Sequence, residues 1–348
     1  MAQDQIRIGI IGAGTNTIDM HIPKLQELDG VEIVSVCNRT RESGQRVADR
    51  FGIPQVCEQW HEIIDDEDID AIVIGTWPYM HATLTCAGLE NDKHVLCEAR
   101  MAMNADEAHE MLDTARQFPH LISQIVPSPF TLTWDQTIQE LIADGYLGDI
   151  YSIEIRGASD TFVDPDAARH WRQDFDLSGY NTMAMGIWYE ALARWVGHAS
   201  RVMAMSRVFV PQRQHQDGGK AATVRVPDHL DILATMDCGA QAHFVFSGIT
   251  GLARDTYTAW LYGSEGTLLL DVGVEKLYGG RRGEEKLNEI TIDESKKGHW
   301  RVEEEFINAI RGLEPIRLTT FDDGVKYMEF TEAVAVSAAE AQAIDLPL

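Results

Sequence analysis

Basic side chains are scarce. The 348 residues carry 29 lysines and arginines against 55 aspartates and glutamates, a formal net charge of −26. Affinity for a phosphate backbone comes from clustered Lys and Arg, so the deficit argues against nucleic acid and anionic membrane surfaces as partners. Cysteine is also sparse. Cys37, Cys57, Cys86, Cys97 and Cys238 are an odd number, widely spaced, with no Cys-x-x-Cys pair. They make neither a disulfide framework nor a zinc site, and core thiols in a reducing compartment, with no metal, are expected. No apolar run approaches the ~18 residues of a membrane span. The opening Met-Ala-Gln-Asp-Gln and the short run Ile6–Ile11 do not read as a signal peptide. A soluble, cytoplasmic protein is expected.

Apolar residues make up 45% of the chain, enough for a sizeable core. At roughly 100–200 residues per domain, the length suggests two domains or one large α/β unit. The first part alternates strand and helix. Ile6–Ile11, Val31–Cys37, Ile69–Ile74 and His94–Cys97 read as buried strands. Helices are expected around Ile18–Leu28, over Glu42–Phe51 up to Gly52, over Met80–Glu90, and from Asn104, where Glu107 completes a capping box. This rhythm predicts a doubly wound parallel sheet. After Pro127 and Pro129 longer strands follow one another: Tyr151–Arg156, Arg201–Val210, Asp231–Met236, Ala242–Ser247, Thr256–Tyr262 and Thr267–Asp271. Gln212–Lys220 and Gly279–Lys286 read as surface loops. The expected class is α/β: a Rossmann domain over 1–125, then an α/β domain over 126–348 with an open, mainly antiparallel sheet. The final helix, about 322–343, is free to pack back on the first domain.

Gly9-Ile-Ile-Gly12-Ala-Gly14-Thr15-Asn16-Thr17 ends the first strand and opens a helix. A dinucleotide pyrophosphate needs a tight turn, close backbone approach and the amides of a helix N-terminus. Gly12 and Gly14 supply the first two, while the third glycine position is Thr17. At the end of the second strand a carboxylate would accept from both ribose hydroxyls of NAD. Here stands Asn38, followed by Arg39, Thr40 and Arg41. The missing acid removes repulsion against a 2′-phosphate and a guanidinium can fork onto it, which favours NADP over NAD.

Three further segments carry a family resemblance. Asp70-Ala-Ile-Val-Ile-Gly-Thr76-Trp77-Pro78-Tyr-Met-His81 resembles the third-strand motif of the glucose–fructose oxidoreductase, inositol dehydrogenase and MocA family (Gfo/Idh/MocA). Lys93-His94-Val95-Leu96-Cys97-Glu98 resembles the start of its Glu-Lys-Pro motif. Gly186, Leu192, Arg194, Trp195 and Gly197 match its long second-domain helix, and His21 falls where many members carry a histidine. The resemblance implies hydride transfer between a nicotinamide and a sugar, polyol or related compound. It implies a homodimer or homotetramer built through the second-domain sheet, whose strands carry apolar residues on both faces. It also places Glu98 near the nicotinamide ribose and Thr76, Trp77, Pro78, His81 and Ala99 along the cofactor cleft.

The departures matter more. The family's lysine falls on Ala99 and its proline on Arg100. Its second-domain aspartate and histidine fall on Ala184 and Trp188. Alanine does not titrate, and an indole donates a hydrogen bond without shuttling a proton at neutral pH. Three readings remain: an NAD(P)-dependent oxidoreductase with a relocated acid–base group, a non-catalytic dinucleotide-binding sensor, and a redox-neutral lyase or glycosidase holding NAD(P) tightly. For the first, Tyr180, one helical turn before Ala184, is the candidate proton donor. His170 is its rival, and Arg172 or Arg100 would be the cation that tunes the phenol. Arg100, Trp171, Ala184 and Trp188 are expected to line the substrate.

Overall fold

The structure is a computed structural model and describes residues 5–215, 221–252 and 256–348. The chain divides into two compact units, one running to Pro127 and including Arg301–Val325, the other comprising Ser128–Trp300 with Lys326–Leu348. In the first unit β1 (Ile6–Ile11), β2 (Val31–Cys37), β3 (Gln55–Cys57), β4 (Ala71–Ile74), β5 (His94–Cys97) and β6 (Ser123–Ile125) form a six-stranded sheet in the order β3-β2-β1-β4-β5-β6. Every pairing in it is parallel. Ile8, Ile10, Ile72 and Val73 are all 0% exposed, as befits strands covered on both faces.

The covering helices are α1 (Ile22–Gln26), α2 (Arg41–Phe51), α3 (His61–Ile64), α4 (His81–Glu90) and α5 (Ala105–Gln117). A π-helical turn, Thr17–His21, precedes α1. Asn104 caps α5 by accepting from the Glu107 amide at 2.8 Å, while Glu107 accepts from the Met103 amide at 3.0 Å. Strand order reverses between β1 and β4, so the carboxyl ends of these two strands border the crevice where doubly wound sheets take their ligands.

The second unit opens with α6 (Leu132–Ala143), β7 (Ile150–Ala158), α7 (Phe175–Ser178) and α8 (Met185–Val196). There follow β8 (Ala199–Arg207), the short pair β9 (Gln212–Arg213) and β10 (Ala222–Thr223), then β11 (His229–Met236), β12 (Gln241–Ser247), β13 (Thr256–Gly263), β14 (Gly266–Asp271), β15 (Lys276–Arg281) and β16 (Asn288–Glu289). Then α9 (Val302–Ile310) lies in the first unit, α10 (Phe321–Glu340) leads back into the second, and β17 (Ile344–Asp345) ends the chain's structure. Among the described residues the sheet runs β16-β15-β14-β13-β7-β12-β11-β8-β17. It is mixed: β7 and β12 pair in parallel and the other neighbours are antiparallel.

One face of this sheet is core. Phe244 of β12 packs with Phe330 of α10, and Phe330 stacks on Tyr189 of α8 at 3.7 Å. The other face carries Met203, Met205 and Leu233, which are 50–76% exposed. Two expected loops are corrected. Gly279 and Gly280 lie within β15, because the strand backbone there meets its neighbours closely: a Cβ on Gly279 would stand 2.7 Å from the Tyr146 hydroxyl. Gln212–Arg213 pairs with Ala222–Thr223, while residues 216–220 of the other expected loop lie outside the described residues.

Candidate functional site

The glycine turn is tied to the end of β2. The Gly12 amide donates to Cys37 O at 2.8 Å, and the Ala13 amide donates to Asn38 Oδ1 at 2.7 Å. Gly14, Thr15 and Asn16 are exposed, and the side a Cβ on Gly14 would occupy meets only Gly75 O at 3.3 Å. An open backbone turn that runs straight into a helical segment fits a bridging phosphate diester. Thr17, at the third glycine position, is 1% exposed and points its hydroxyl at Gly12 O, 3.4 Å away. A Cβ on Gly75 would fall 2.1 Å from Thr17 Oγ1 and 2.2 Å from Gly12 O. The close packing of helix against strand that a third glycine would give is therefore supplied from across the sheet by Gly75. Sequence reasoning passed over Gly75, although its place directly after a buried strand was the available signal.

Beyond β2, Thr40 caps α2 by accepting from the Ser43 amide at 3.2 Å. Arg41 donates to Glu58 at 2.6 Å, whereas the Arg39 guanidinium lies 5.7 Å from the Trp77 ring centroid. Among the described residues, only Arg41 of the two arginines has its charge matched by a carboxylate. Pro78 starts a 3₁₀ turn, and the Thr76 hydroxyl is buried with no hydrogen-bond partner among the described residues. His81 is 0% exposed, with its ring nitrogens 3.0 Å from Thr76 O and 2.9 Å from Arg100 O. Burial lowers its pKa against the pull of those carbonyls. It braces the 76 loop against the 100 loop.

Glu98, at the end of β5, sits at the centre of a network. Nε2–H of His21 donates to its Oε1 at 2.9 Å, and the Asn16 amide donates to the same oxygen. The Ala99 amide donates to Oε2 at 3.0 Å. Nδ1–H of His21 donates to Glu303 Oε1 of α9 at 2.5 Å. His21 and Glu303 are 0% and 1% exposed at the side chain, while Glu98 at 14% reaches solvent. Burial works against the His21 proton, but the bonds to Glu303 and Glu98 outweigh it and raise the pKa to about 9. Burial likewise works against the Glu98 charge, and the bonds and charge of His21, with Asn16 and Ala99, keep its carboxyl below the ordinary value. Sequence reasoning found Glu98, Asn16 and His21 but missed Glu303.

In the second unit Ala184 is the N-cap of α8. Trp188 is 0% exposed and clusters with Phe130 and Tyr257, ring centroids 5.6 and 5.7 Å away; its indole N–H is buried without an acceptor among the described residues. The expectation that Tyr180 shares a helical face with Ala184 and Trp188 is corrected. Gly179 (φ 59°) and Met183 (φ 47°) are left-handed, so the chain turns between α7 and α8, and Tyr180 stands before the helix. Its ring meets Phe175 edge-on at 5.4 Å and borders a cavity of about 200 Å³ with Thr182, Ser206, Leu230 and Arg225. Arg225 pairs there with Asp176. His170 caps a 3₁₀ turn, accepting from the Arg172 amide at 3.2 Å, and burial with the Arg172 charge lowers its pKa. The Arg172 guanidinium lies over Trp171, 4.2 Å from the ring centroid. Among the described residues no group of His, Cys, Asp or Glu is arranged to hold a metal ion. No helix among them is long and apolar enough to cross a membrane.

Comparisons with known proteins agree across both units. Residues 6–123 match the family described as "Oxidoreductase family, NAD-binding Rossmann fold", and residues 136–269 match the GFO/IDH/MocA C-terminal domain. The chain is 28% identical over 206 residues to an uncharacterised oxidoreductase, ORF334, of Rhizobium meliloti, covering 58% of this chain and 60% of that protein. It is 28% identical over 188 residues to a levoglucosan dehydrogenase of Pseudarthrobacter phenanthrenivorans, covering 53% of this chain and 48% of the relative. The matches thus span about half the length of these relatives. Solved structures titled levoglucosan dehydrogenase superpose over 99% of both chains, the apo form with TM-score 0.88 at 20% identity, and the complex with NADH and L-sorbose with TM-score 0.87 at 21%. These likenesses show the fold. With the nucleotide-binding profile and the C-terminal profile matching in their own halves, the chain belongs to the Gfo/Idh/MocA family of oxidoreductases.

Proposed function

We propose that the protein is a cytoplasmic NAD(P)-dependent oxidoreductase acting on a sugar-like small molecule through a non-standard acid–base site. The observation that carries this reading is the intact nucleotide face: the open turn at Gly14–Asn16 beside an ionised, solvent-reaching Glu98. A bound nicotinamide would accept or supply the hydride. The Gly12–Thr17 turn would hold its pyrophosphate, and Glu98 would accept hydrogen bonds from the nicotinamide ribose. Thr76, Trp77, Pro78 and Ala99 would form the surrounding wall. The uncharged Asn38, and Arg39 with no carboxylate partner among the described residues, support NADP over NAD. The relatives and structures named for levoglucosan dehydrogenase support a carbohydrate-like substrate.

Tyr180 is the proposed proton donor, and its place on the cavity beside Thr182, Ser206 and Arg225 supports it over His170, whose Nδ1 is engaged in capping. Arg172 and Trp171 stack beside that cap, and Arg100, Ala184 and Trp188 complete the proposed substrate set. The full burial of Trp188 favours a second reading, a dinucleotide-binding sensor. The exposed Met203, Met205 and Leu233 support a homodimer or homotetramer through the sheet. The test follows absorbance at 340 nm with NADP⁺ or NAD⁺ over a panel of sugars, anhydrosugars and polyols. Turnover that falls ~10²-fold or more in Tyr180→Phe, with cofactor affinity unchanged, supports the reading. Cofactor binding with no turnover across the panel favours the sensor, and failure to bind either dinucleotide overturns both.

A further inference from the structure

We propose that His21 and Glu303 are positioning residues that hold the Glu98 carboxylate ionised and in one orientation for a bound nicotinamide nucleotide, so that a helix from the far end of the chain sets the cofactor site. The inference rests on the dinucleotide reading above. Its ground is geometric. Glu303 Oε1 fixes Nδ1–H of His21 at 2.5 Å, leaving Nε2–H to point at Glu98 Oε1, 2.9 Å away. Asn16 Nδ2, 3.4 Å from His21 Nε2, converges on the same oxygen. The Ala99 amide takes Oε2, so the carboxylate plane is held at both ends.

Two carboxylates flanking one imidazole carry a combined charge that only the protonated ring can balance, and both ring N–H groups then have acceptors. His21 and Glu303 are sealed from water, while Glu98 alone of the three opens to solvent. A ligand at the surface would touch Glu98 and nothing behind it. The buried pair therefore acts only through Glu98, by fixing its rotamer and its charge. Removing the Glu303 charge lowers the proton affinity of His21. A neutral ring can present its lone pair to Glu98 in place of a donor, which frees the carboxylate to turn. Among the described residues, the carboxylates bonded to His21 are Glu98 from the end of β5 and Glu303 from α9.

The test uses the full-length protein, with Glu303→Gln, Glu303→Asp and His21→Asn. Imidazole NMR, with the His21 signal assigned by its loss in His21→Asn, reads the ring directly without cofactor. The wild-type signal is expected to titrate near pH 9, and that of Glu303→Gln at least one pH unit lower. Fluorescence titration with NADPH and NADH at pH 7 is expected to show at least tenfold weaker binding of both cofactors in Glu303→Gln, with partial rescue in Glu303→Asp. In wild type, affinity falls as pH passes the His21 midpoint, which keeps the test open if the glutamine variant does not fold. An unshifted His21 midpoint, or wild-type affinity in Glu303→Gln with only its stability reduced, overturns the inference. If wild type binds neither dinucleotide, the functional reading fails and the NMR result alone decides the His21–Glu303 coupling.

Discussion

Gly75 and Thr17 share one space: the Cβ that Gly75 lacks would stand 2.1 Å from the Thr17 hydroxyl oxygen. The hydroxyl can rotate away, but Gly12 O, at 2.2 Å from the same point, belongs to the backbone of the glycine turn. Gly75→Ala is expected to cost about 3 kcal/mol, at the upper end of ordinary overpacking. Adding Thr17→Ala is expected to restore only part of it. Urea denaturation of the single and double variants measures both, and full rescue would place the strain on Thr17 alone.

Stability should follow the His21 proton. Its pKa rises from 6.5 to about 9 on folding, so its contribution is present in full below about 6.5 and disappears as pH climbs through about 9. At 1.36 kcal/mol per pH unit this amounts to ~3 kcal/mol. Denaturation midpoints between pH 6.5 and 10 are expected to fall in wild type, with a shallower fall in His21→Asn.

Cofactor preference tests the end of β2. Asn38→Asp keeps the acceptor for the Ala13 amide and adds a charge where the adenosine ribose would lie in the proposed site. The ratio of NADH to NADPH affinity is expected to rise at least tenfold. Arg39→Ala should weaken NADPH alone, by the ~1.5–3 kcal/mol of a hydrogen bond to a charged group. Equal losses for both cofactors would assign Arg39 to stacking on Trp77 rather than to a phosphate.

Trp188→Phe removes a buried N–H with no acceptor among the described residues, at the expense of some ring contact with Phe130 and Tyr257. An orphaned donor costs about 1–3 kcal/mol, so the two effects oppose each other and a net change within ~1.5 kcal/mol is expected. Trp188→Ala, with a cavity in place of the ring, should cost about 3–5 kcal/mol. Thermal melts distinguish the two.

Much of the fold was legible because its signals are local. Ile6–Ile11, Val31–Cys37 and His94–Cys97 are strands as their apolar runs require, and Asn104 with Glu107 marked the start of α5. β15 was not legible, since Gly279-Gly280 carries the signature of a loop, and the approach of Ile290 and Tyr146 to Gly279 and of Leu287 to Gly280 is what explains glycine inside a strand. The left-handed Met183 that takes Tyr180 off the helix has no sequence marker either. Of the network around Glu98, three members lie in recognisable motifs. Glu303, 282 positions from His21, stands in the acidic run Glu303–Glu305 that opens α9, and nothing local tells it from the exposed Glu304 beside it.

The return of Arg301–Val325 to the nucleotide-binding unit has a consequence for the order of synthesis. Gln124 on the edge strand β6 donates to Glu305 of α9 at 2.8 Å, and the Ile125 amide donates to Thr319 O at 3.1 Å. A nascent chain that has left the ribosome only as far as Pro127 has the six strands but neither partner, and His21 faces Glu98 alone. Nearly 200 further residues must be translated before the segment emerges, ~10–40 s at ordinary elongation rates. During that interval the edge of the parallel sheet is open to other chains. Vectorial folding of this protein therefore cannot finish its first unit first.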